Sequence, residues 1–462
     1  MFADTIYLKS GRKITAPHVV TENGQVSYET PAGRFSFPMS IVDRVVHDDA
    51  SPVSTAGTAL DHAANLPIAP PVALAAPPND PAASAAVRDG SINTNLLSKL
   101  ESEATANPSP TAVARVVAAE SAAAQFEISV GDFERAVEHY NVGLRFDPNN
   151  TSLLLEAAYL HLKRGEYTAA SDLLDQARRI DPDSAELAKL SGWAYYGLNR
   201  AADAVTQWKR AMELKPDEET QHALEKAERD AQEEAEYHEG ETLHFRLKYN
   251  GGAAPELAQQ VLKTLESEFD EIAATLNYVP PEPIGVILYT NQTFMDITRA
   301  PSWSGALNDG RLRIPVEGLT SMTDELSRVL KHELTHSFVG QKTGGKSPVW
   351  LQEGIAQYME GKRSRVNAGS LSAAFEGHME ISLASYESSW LTLPKDAASN
   401  AYAWSLAVVE SIVTENGMGD LERILDRLAA GSSTEDAVRA VLHEDYSELM
   451  LSTAQYLHKA YE

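Results

Sequence analysis

Two histidines and a glutamate in the second half of the chain have the spacing of a metal site. The segment from Lys331 to His336 reads KHELTH, so His332 and His336 are four residues apart and would share one face of a helix. Two imidazoles on one helical face suit a single zinc ion. The adjacent Glu333 could take a proton from a water held by that metal. The sequence therefore predicts hydrolytic metal chemistry at this helix.

A third ligand is needed, because catalytic zinc normally binds three protein side chains and a water. Glu353 lies in the run WLQEGIAQY, with sixteen residues between it and His336. A second helix that begins after Pro348 would place Glu353 against the helix that carries the histidines. The alternative is that these histidines and glutamates lie on unrelated solvent-exposed faces.

The runs HELTH and WLQEGIAQY together resemble the gluzincin zinc peptidases, in particular the peptidase MA-like domains that are often joined to tetratricopeptide repeats. The resemblance covers residues 242–462. It implies a zinc metallopeptidase of the HExxH-plus-glutamate type, with His332, His336 and Glu353 as ligands of Zn2+. It also implies that Glu333 is the general base and later the proton donor.

The resemblance implies two further roles and leaves one open. Tyr402, in the run AYAWS, would donate a hydrogen bond to the oxyanion of the tetrahedral intermediate; the alternative, and the more common role, is a core tyrosine. The segment Gly305–Pro315 would be an edge strand that aligns substrate by main-chain pairing, or else an ordinary edge strand. Gluzincins often place an acid four residues after the third ligand to orient a histidine. This chain has Gln357 there, so the sequence names no orienting group.

An internal repeat precedes this region. Pro148, Pro182 and Pro216 are 34 residues apart, and small residues recur in the same phase. The phased small positions are Ala136, Ala170, Ala204, Gly143, Ala177 and Ala211, and a further position holds Gly131, Gly165 and Asn199. Small residues let paired helices approach closely, and each proline ends the second helix of a pair. The pattern resembles the tetratricopeptide repeat, which implies binding of a protein partner. The alternative is that the repeats only space or dock the neighbouring domain.

The remaining segments complete a predicted multidomain fold. Residues 1–47 alternate apolar and polar residues between turn signals and predict a small β module, which we interpret as SH3-like. Residues 48–112 are rich in alanine and proline and predict a disordered linker, apart from a helix that starts within residues 95–103. Residues 113–241 hold the α-helical repeats and an acidic capping helix. Residues 242–462 form the predicted α+β gluzincin-like metallopeptidase domain, in which strands precede helices.

Composition excludes several functional classes. The 462-residue chain has a formal net charge of −27, which disfavours nucleic acid and anionic membrane surfaces as partners. Cysteine is absent from the sequence, so a metal site must use His, Asp or Glu. Apolar runs are shorter than the ~18 residues that predict a membrane span. The chain as written starts without a signal peptide, which leaves two alternatives: an exported protein, periplasmic or extracellular, whose signal peptide is missing from this chain, or a cytoplasmic protein.

The leading hypothesis is a zinc-dependent peptidase that hydrolyses peptide bonds with a metal-held water activated by Glu333, while the repeats recruit a peptide or protein substrate or a protein partner. The alternative is a non-catalytic interaction scaffold with a structural zinc site. Glu333 favours the peptidase, because a structural site needs the histidines but not the base. Gln357 mildly favours the scaffold. The sequence names no substrate, does not distinguish an endopeptidase from an aminopeptidase, and leaves the oligomeric state open.

Overall fold

The computed structural model describes residues 4–8, 13–16, 19–22, 25–30, 33–39, 42–46, 80–88, 90–250, 255–289, 307–308, 310–316, 319–377, 382–387, 390 and 395–461. These residues belong to two compact units. One unit comprises residues 1–65 and 232–462, and the other comprises residues 66–231. Within the described ranges, no helix is both long enough and apolar enough to cross a membrane.

The amino-terminal segment is built of β-strands. The described strands are β1 (Asp4–Leu8), β2 (Lys13–Ala16), β3 (Val19–Glu22), β4 (Gln25–Thr30), β5 (Gly33–Pro38) and β6 (Val42–Val46). They form two three-stranded antiparallel sheets, with β1 between β2 and β6 and with β4 between β3 and β5. The SH3-like interpretation of this module stays a prediction.

Much of the segment predicted to be a disordered linker is helical, so the prediction is wrong for the described residues of 80–112 outside 95–103. The helix that was expected at residues 95–103 is present as part of α2. The elements there are α1 (Pro81–Ala86), β7 (Val87–Arg88), β8 (Ser91–Ile92), α2 (Thr94–Ala106) and the start of α3 (Pro110–Val130). Residues 48–79 of the predicted linker lie outside the described residues.

Alanine packing explains this correction. Ala83 and Ala86 of α1 are buried in one cluster with Leu97 and Leu100 of α2 and with Ala119 of α3. Alanine buries little area for each residue, but it lets helices approach closely and has the highest helix propensity. An alanine-rich composition that resembles a linker can therefore also encode tightly packed short helices.

The repeats follow as consecutive helix pairs. The helices are α4 (Phe133–Phe146), α5 (Thr151–Lys163), α6 (Tyr167–Ile180), α7 (Ala185–Gly197), α8 (Ala201–Leu214) and α9 (Glu218–Glu234). Helix α3 packs on α4, α5 on α6 and α7 on α8. The turn inside each pair uses a left-handed residue: Gly131, Gly165 and Asn199 have φ values of 86°, 72° and 61°. Asparagine can take the third position because it tolerates this conformation better than most residues with a side chain.

The carboxy-terminal domain begins with a five-stranded mixed sheet. Its elements are β9 (His238–Glu241), β10 (Phe245–Tyr249), α10 (Pro255–Leu276), β11 (Ile284–Tyr289), β12 (Leu307–Asn308) and β13 (Arg311–Pro315). The strand order is β12-β13-β11-β10-β9; the three inner strands are parallel, and the two outer strands are antiparallel to them.

The edge of this sheet differs from the prediction. Leu312 lies in β13 and is paired on one side with Val286 and on the other side with Asn308. The edge position is therefore held by β12, Leu307–Asn308, and β13 is an inner strand. Sequence reasoning treated residues 305–315 as one strand, because it did not place a chain reversal between Asn308 and Arg311. Residues 305 and 306 lie outside the described residues.

Helices complete the domain after the sheet. They are α11 (Asp324–Lys342), α12 (Val349–Met359), α13 (Ala368–Glu376), α14 (Lys395–Glu415), α15 (Met418–Ala429), α16 (Thr434–Leu442) and α17 (Tyr446–Tyr461), with short 3-10 helices at Ser364–Val366 and Leu383–Tyr386. Helix α11 packs on α10 and α12, and α12 packs on α14. The predicted multidomain fold of a β module, a helical repeat array and an α+β domain is thereby confirmed.

Candidate metal centre

Helix α11 carries the first two candidate ligands in the domain interior. The Thr323 side chain caps its first turn by accepting a hydrogen bond from the Leu326 amide. Leu330, Leu334 and Phe338 continue a buried apolar stripe at four-residue spacing. The stripe holds α11 against the core, so the histidines one turn apart on the same helix are buried too: His332 is 6% exposed and His336 is 4% exposed.

Two ion pairs anchor α11 next to the first histidine. The Lys331 ammonium lies 2.8 Å from a carboxylate oxygen of Glu268 and 2.7 Å from one of Glu271, both on α10. These ion pairs fix the turn of α11 that contains His332. The neighbouring Glu333 is also buried, with 3% of its surface exposed.

Three donor atoms converge from α11 and α12. The two Nε2 atoms of His332 and His336 are 3.1 Å apart. Nε2 of His332 lies 3.6 Å from Oε2 of Glu353, and Nε2 of His336 lies 3.6 Å from Oε1 of the same carboxylate. Tetrahedral coordination with bonds of 2.0–2.1 Å requires ligand atoms about 3.3–3.4 Å apart, so these three side chains fit a zinc ion. In the part of the chain that the structure describes, they form the one group of three or more His, Asp or Glu side chains with this convergence.

The short connection between α11 and α12 brings Glu353 back to the histidines. Gly344 and Gly345 both have positive φ values, 59° and 74°, which glycine adopts without strain. The Lys346 ammonium then donates a hydrogen bond of 2.8 Å to the carbonyl oxygen of Ala429, at the end of α15. The short connection between α11 and α12 therefore turns on two glycines and is held by a lysine.

Glu360 is a residue of the centre that sequence reasoning missed. Its carboxylate oxygen lies 3.2 Å from Nδ1 of His332, on the side of the ring opposite Nε2. Lys362 forms an ion pair with the same carboxylate at 2.8 Å. Glu360 directly follows the last residue of α12, seven residues or about two helical turns after Glu353, and it therefore lies toward the same face of the helix. The sequence analysis looked for the orienting acid one turn after Glu353, where the chain has Gln357. The acid that contacts His332 follows Glu353 by two turns, and this spacing could have identified it from the sequence.

Gln357 makes a different contact. Its amide nitrogen donates to the carbonyl oxygens of Glu353, at 3.2 Å, and of Tyr402, at 3.1 Å. Tyr402 lies on α14 and is 8% exposed, and its ring meets the Trp390 ring nearly at right angles with centroids 4.9 Å apart. The main chain of Tyr402 thus reaches the helix of Glu353, while the catalytic role of its hydroxyl stays a prediction.

Burial and neighbouring charges change the pKa values of two groups in the centre. Burial alone would lower the pKa of His332, but hydrogen bonds to Glu353 and Glu360 and the charges of these carboxylates raise that pKa to about 10. Burial is the main reason that the pKa of Glu333 rises to about 7. The charge of His332 opposes this rise, and the two carboxylates reinforce it. A carboxyl with a pKa close to 7 can both accept and release a proton near neutral pH.

Comparisons with known proteins identify two families along the chain. The sequence profile of the Peptidase MA superfamily matches residues 268–458, and that of the tetratricopeptide repeat matches residues 127–194. Comparison with curated proteins gives no match. Among solved structures, the second tetratricopeptide domain of human RPAP3 in complex with an HSP70 peptide is 24% identical over 24% of this chain and 92% of that chain, with a TM-score of 0.23. The chain therefore contains a Peptidase MA superfamily domain joined to tetratricopeptide repeats, a type of repeat that binds other proteins.

Proposed function

We propose that this protein is a zinc-dependent peptidase whose repeats recruit a protein substrate or partner. The observation that carries the proposal is the convergence of two imidazole nitrogens and the Glu353 carboxylate, whose ligand atoms lie within 4.8 Å of one another, directly beside the buried Glu333. The match to the Peptidase MA superfamily supports the same chemistry.

The ligand set would be His332 and His336 through Nε2 and Glu353 through its carboxylate. When bound, zinc supplies Lewis-acid polarisation of the scissile carbonyl and of a water molecule. Glu360 would accept a hydrogen bond from Nδ1 of His332, which keeps Nε2 directed at the metal. A carboxylate in this position also strengthens the electron donation of the imidazole.

Glu333 would carry the proton transfers of the reaction. It accepts the proton of the water that attacks the peptide carbonyl, and it then passes this proton to the leaving amine. Both transfers are favourable for a carboxyl whose pKa is about 7. Tyr402 would donate a hydrogen bond to the oxyanion that develops on the carbonyl carbon.

A non-catalytic scaffold with a structural zinc site explains less. Such a site uses His332, His336 and Glu353 but has no task for Glu333. Burying Glu333 disfavours its ionised form, which is why its pKa rises, and this burial has a free-energy cost that a structural site does not require.

The proposal is tested by metal analysis combined with a quenched-fluorescence peptide assay. The wild type and Glu333→Gln should each bind one zinc ion per chain, while Glu333→Gln should lose turnover by about 10²–10⁴-fold, the usual contribution of a general acid–base group. The control His336→Ala should lose both zinc and turnover. A wild type without zinc, or equal turnover in the wild type and Glu333→Gln, would refute the proposal.

A further inference from the structure

Helices α12 and α14 touch through their main chains beside the candidate metal centre. A Cβ atom added at Gly354 would lie 2.3 Å from the carbonyl oxygen of Ser405 and 2.6 Å from a methyl carbon of Val409. The residue that directly follows Glu353 must therefore be glycine for α14 to approach this closely. The position of the third candidate ligand depends on this contact.

A second contact follows one turn along the same interface. The Gln357 amide nitrogen bridges the carbonyl oxygens of Glu353 and Tyr402. Gly354 contacts Ser405, and Gln357 contacts Tyr402. The residue number therefore rises by three on α12 while it falls by three on α14. The helices are antiparallel here, and the two contacts together fix their register.

The chemistry of the second contact explains why position 357 holds an amide. Both partners of Gln357 are carbonyl oxygens, which only accept hydrogen bonds, and an ionised carboxylate cannot donate. An acid at this buried position would face two acceptors and would lose both hydrogen bonds. The amide that replaces the usual gluzincin acid thus performs a different task, since Glu360 already contacts His332.

We infer that Gln357 is a positioning residue that holds α14, and with it Tyr402, in register with the helix that carries Glu353. The inference deepens the proposed function and rests on it for the role of the Tyr402 hydroxyl. A displacement of about 1 Å at a reacting group can lower turnover by roughly a hundredfold. Loss of the Gln357 bridge should therefore act on kcat through Tyr402 and leave KM nearly unchanged.

The test compares two buried glutamines of α12. Gln357→Met has a side chain of similar length without a donor. Gln352→Met is the matched control, because Gln352 also donates to a carbonyl oxygen, that of Ser347 at 2.9 Å, but makes this bond away from α14. Amide hydrogen exchange of peptides from α14 is measured by mass spectrometry in the zinc-loaded proteins. We expect exchange in the turn around Tyr402 to rise about tenfold in Gln357→Met and to stay at the wild-type rate in Gln352→Met.

Turnover supplies the second readout. Gln357→Met should lower kcat about tenfold in the wild-type background and should add almost nothing in the Tyr402→Phe background, because both changes affect the same hydrogen bond. The inference would be overturned if hydrogen exchange in α14 did not change, or if it were equal in the two methionine variants. It would also be overturned if the kcat losses of Gln357→Met and Tyr402→Phe multiplied in the double variant.

Failure of the inference can be distinguished from failure of the proposed function. A wild type that binds zinc without turnover would refute the peptidase, while the exchange experiment would still decide whether Gln357 holds α14. If Gln357→Met does not fold, Gln357→Asn replaces it: this side chain keeps its amide but is one methylene too short to bridge both carbonyls. The same turn of α14 should then exchange faster, and an unchanged rate would overturn the inference.

Discussion

Buried polar side chains have different uses in the repeat array and in the Peptidase MA superfamily domain. In the repeats they join helices to one another. The Tyr196 hydroxyl donates to the Asp230 carboxylate at 2.7 Å, and the Trp208 indole nitrogen donates to the Lys189 carbonyl at 3.1 Å. In both of these contacts a donor meets an acceptor, so they stabilise the array without any ligand.

In the candidate metal centre, atoms with electron pairs converge instead. Two imidazole nitrogens and a carboxylate lie 3.1–3.6 Å from one another on α11 and α12. A cation satisfies all three at once, whereas a single proton satisfies at most one pair. The comparison teaches that the complementarity of buried polar groups, rather than their number, separates a structural network from a ligand site.

The largest predicted effect is a loss of stability caused by a substitution in the repeats, which tests whether their buried contacts are structural only. Gly192→Ala places a Cβ 2.2 Å from the indole nitrogen of Trp208, a fully buried side chain that also packs edge-on against Trp193. We expect a loss of about 1–3 kcal/mol in the free energy of unfolding, as for other overpacked cores. Zinc stoichiometry should stay the same, and thermal unfolding combined with metal analysis measures both quantities.

Gly143→Ala is the matched control for this prediction. Its added Cβ would meet only the end of the Leu153 side chain, at 2.9 Å, which can rotate away. A smaller loss of stability is expected. If Gly192→Ala lowered zinc content, or destabilised the protein no more than Gly143→Ala, the repeats would not behave as a structural network independent of the centre.

The second effect concerns zinc affinity. Glu360→Gln keeps the shape of the side chain but removes its charge beside His332, so we expect zinc to bind about tenfold more weakly, the lower end of the range for such partners. Competition with a chelator of known affinity measures the change. The melting temperature should fall only slightly.

Glu410→Gln provides the control, because Glu410 is a buried carboxylate of the same domain with a structural set of donors. It accepts hydrogen bonds from the Ser364 amide at 2.7 Å, from the Tyr456 hydroxyl at 3.1 Å and from the Tyr461 hydroxyl. This variant should lose stability and retain its zinc affinity. Equal weakening of zinc binding in both variants would show that Glu360 has no specific relation to the centre.

The smallest effect tests the pH dependence of the repeats. Burial raises the pKa of Asp217, but hydrogen bonds from Thr220 and the charge of Lys189 more than offset this and hold the pKa below its ordinary value of 3.8. A carboxyl with a lowered pKa in the folded state stabilises it above the unfolded-state pKa, and this contribution disappears as the pH falls through the folded-state pKa. Asp217→Asn should therefore lower the melting temperature by no more than about 2 °C at pH 7, since 34% of the side chain is exposed and solvent screens its interactions. The difference from the wild type should vanish near pH 2, and a difference that grew on acidification would contradict this assignment.

The sequence predicted best those structural features that depend on residues close together in the chain. The 34-residue phase of Gly131, Gly165 and Asn199 predicted equivalent positions in three helical repeats, and the structure adds that all three residues are left-handed. The four-residue spacing of His332 and His336 predicted their common helical face. Both features follow from helix geometry alone, so a single sequence was sufficient to predict them.

Features that depend on distant contacts were missed or misplaced. The contact of Gln357 with Tyr402 joins residues 45 positions apart, and no local pattern marks it. Leu312 was placed at a sheet edge because pairing partners cannot be assigned from one strand alone. Glu360 is an exception: it lies two helical turns after Glu353, and its position was available from periodicity.

The two-glycine connection between α11 and α12 also has a consequence for assembly. It places His332, His336 and Glu353 within 22 consecutive residues, counted from 332 to 353. The entropy lost on closing a loop grows with the logarithm of its length, and each doubling of the separation would add about 0.6 kcal/mol. The three side chains can therefore meet at a small entropic cost before the sheet has formed, so a metal ion could act as a nucleus for folding of this helical hairpin.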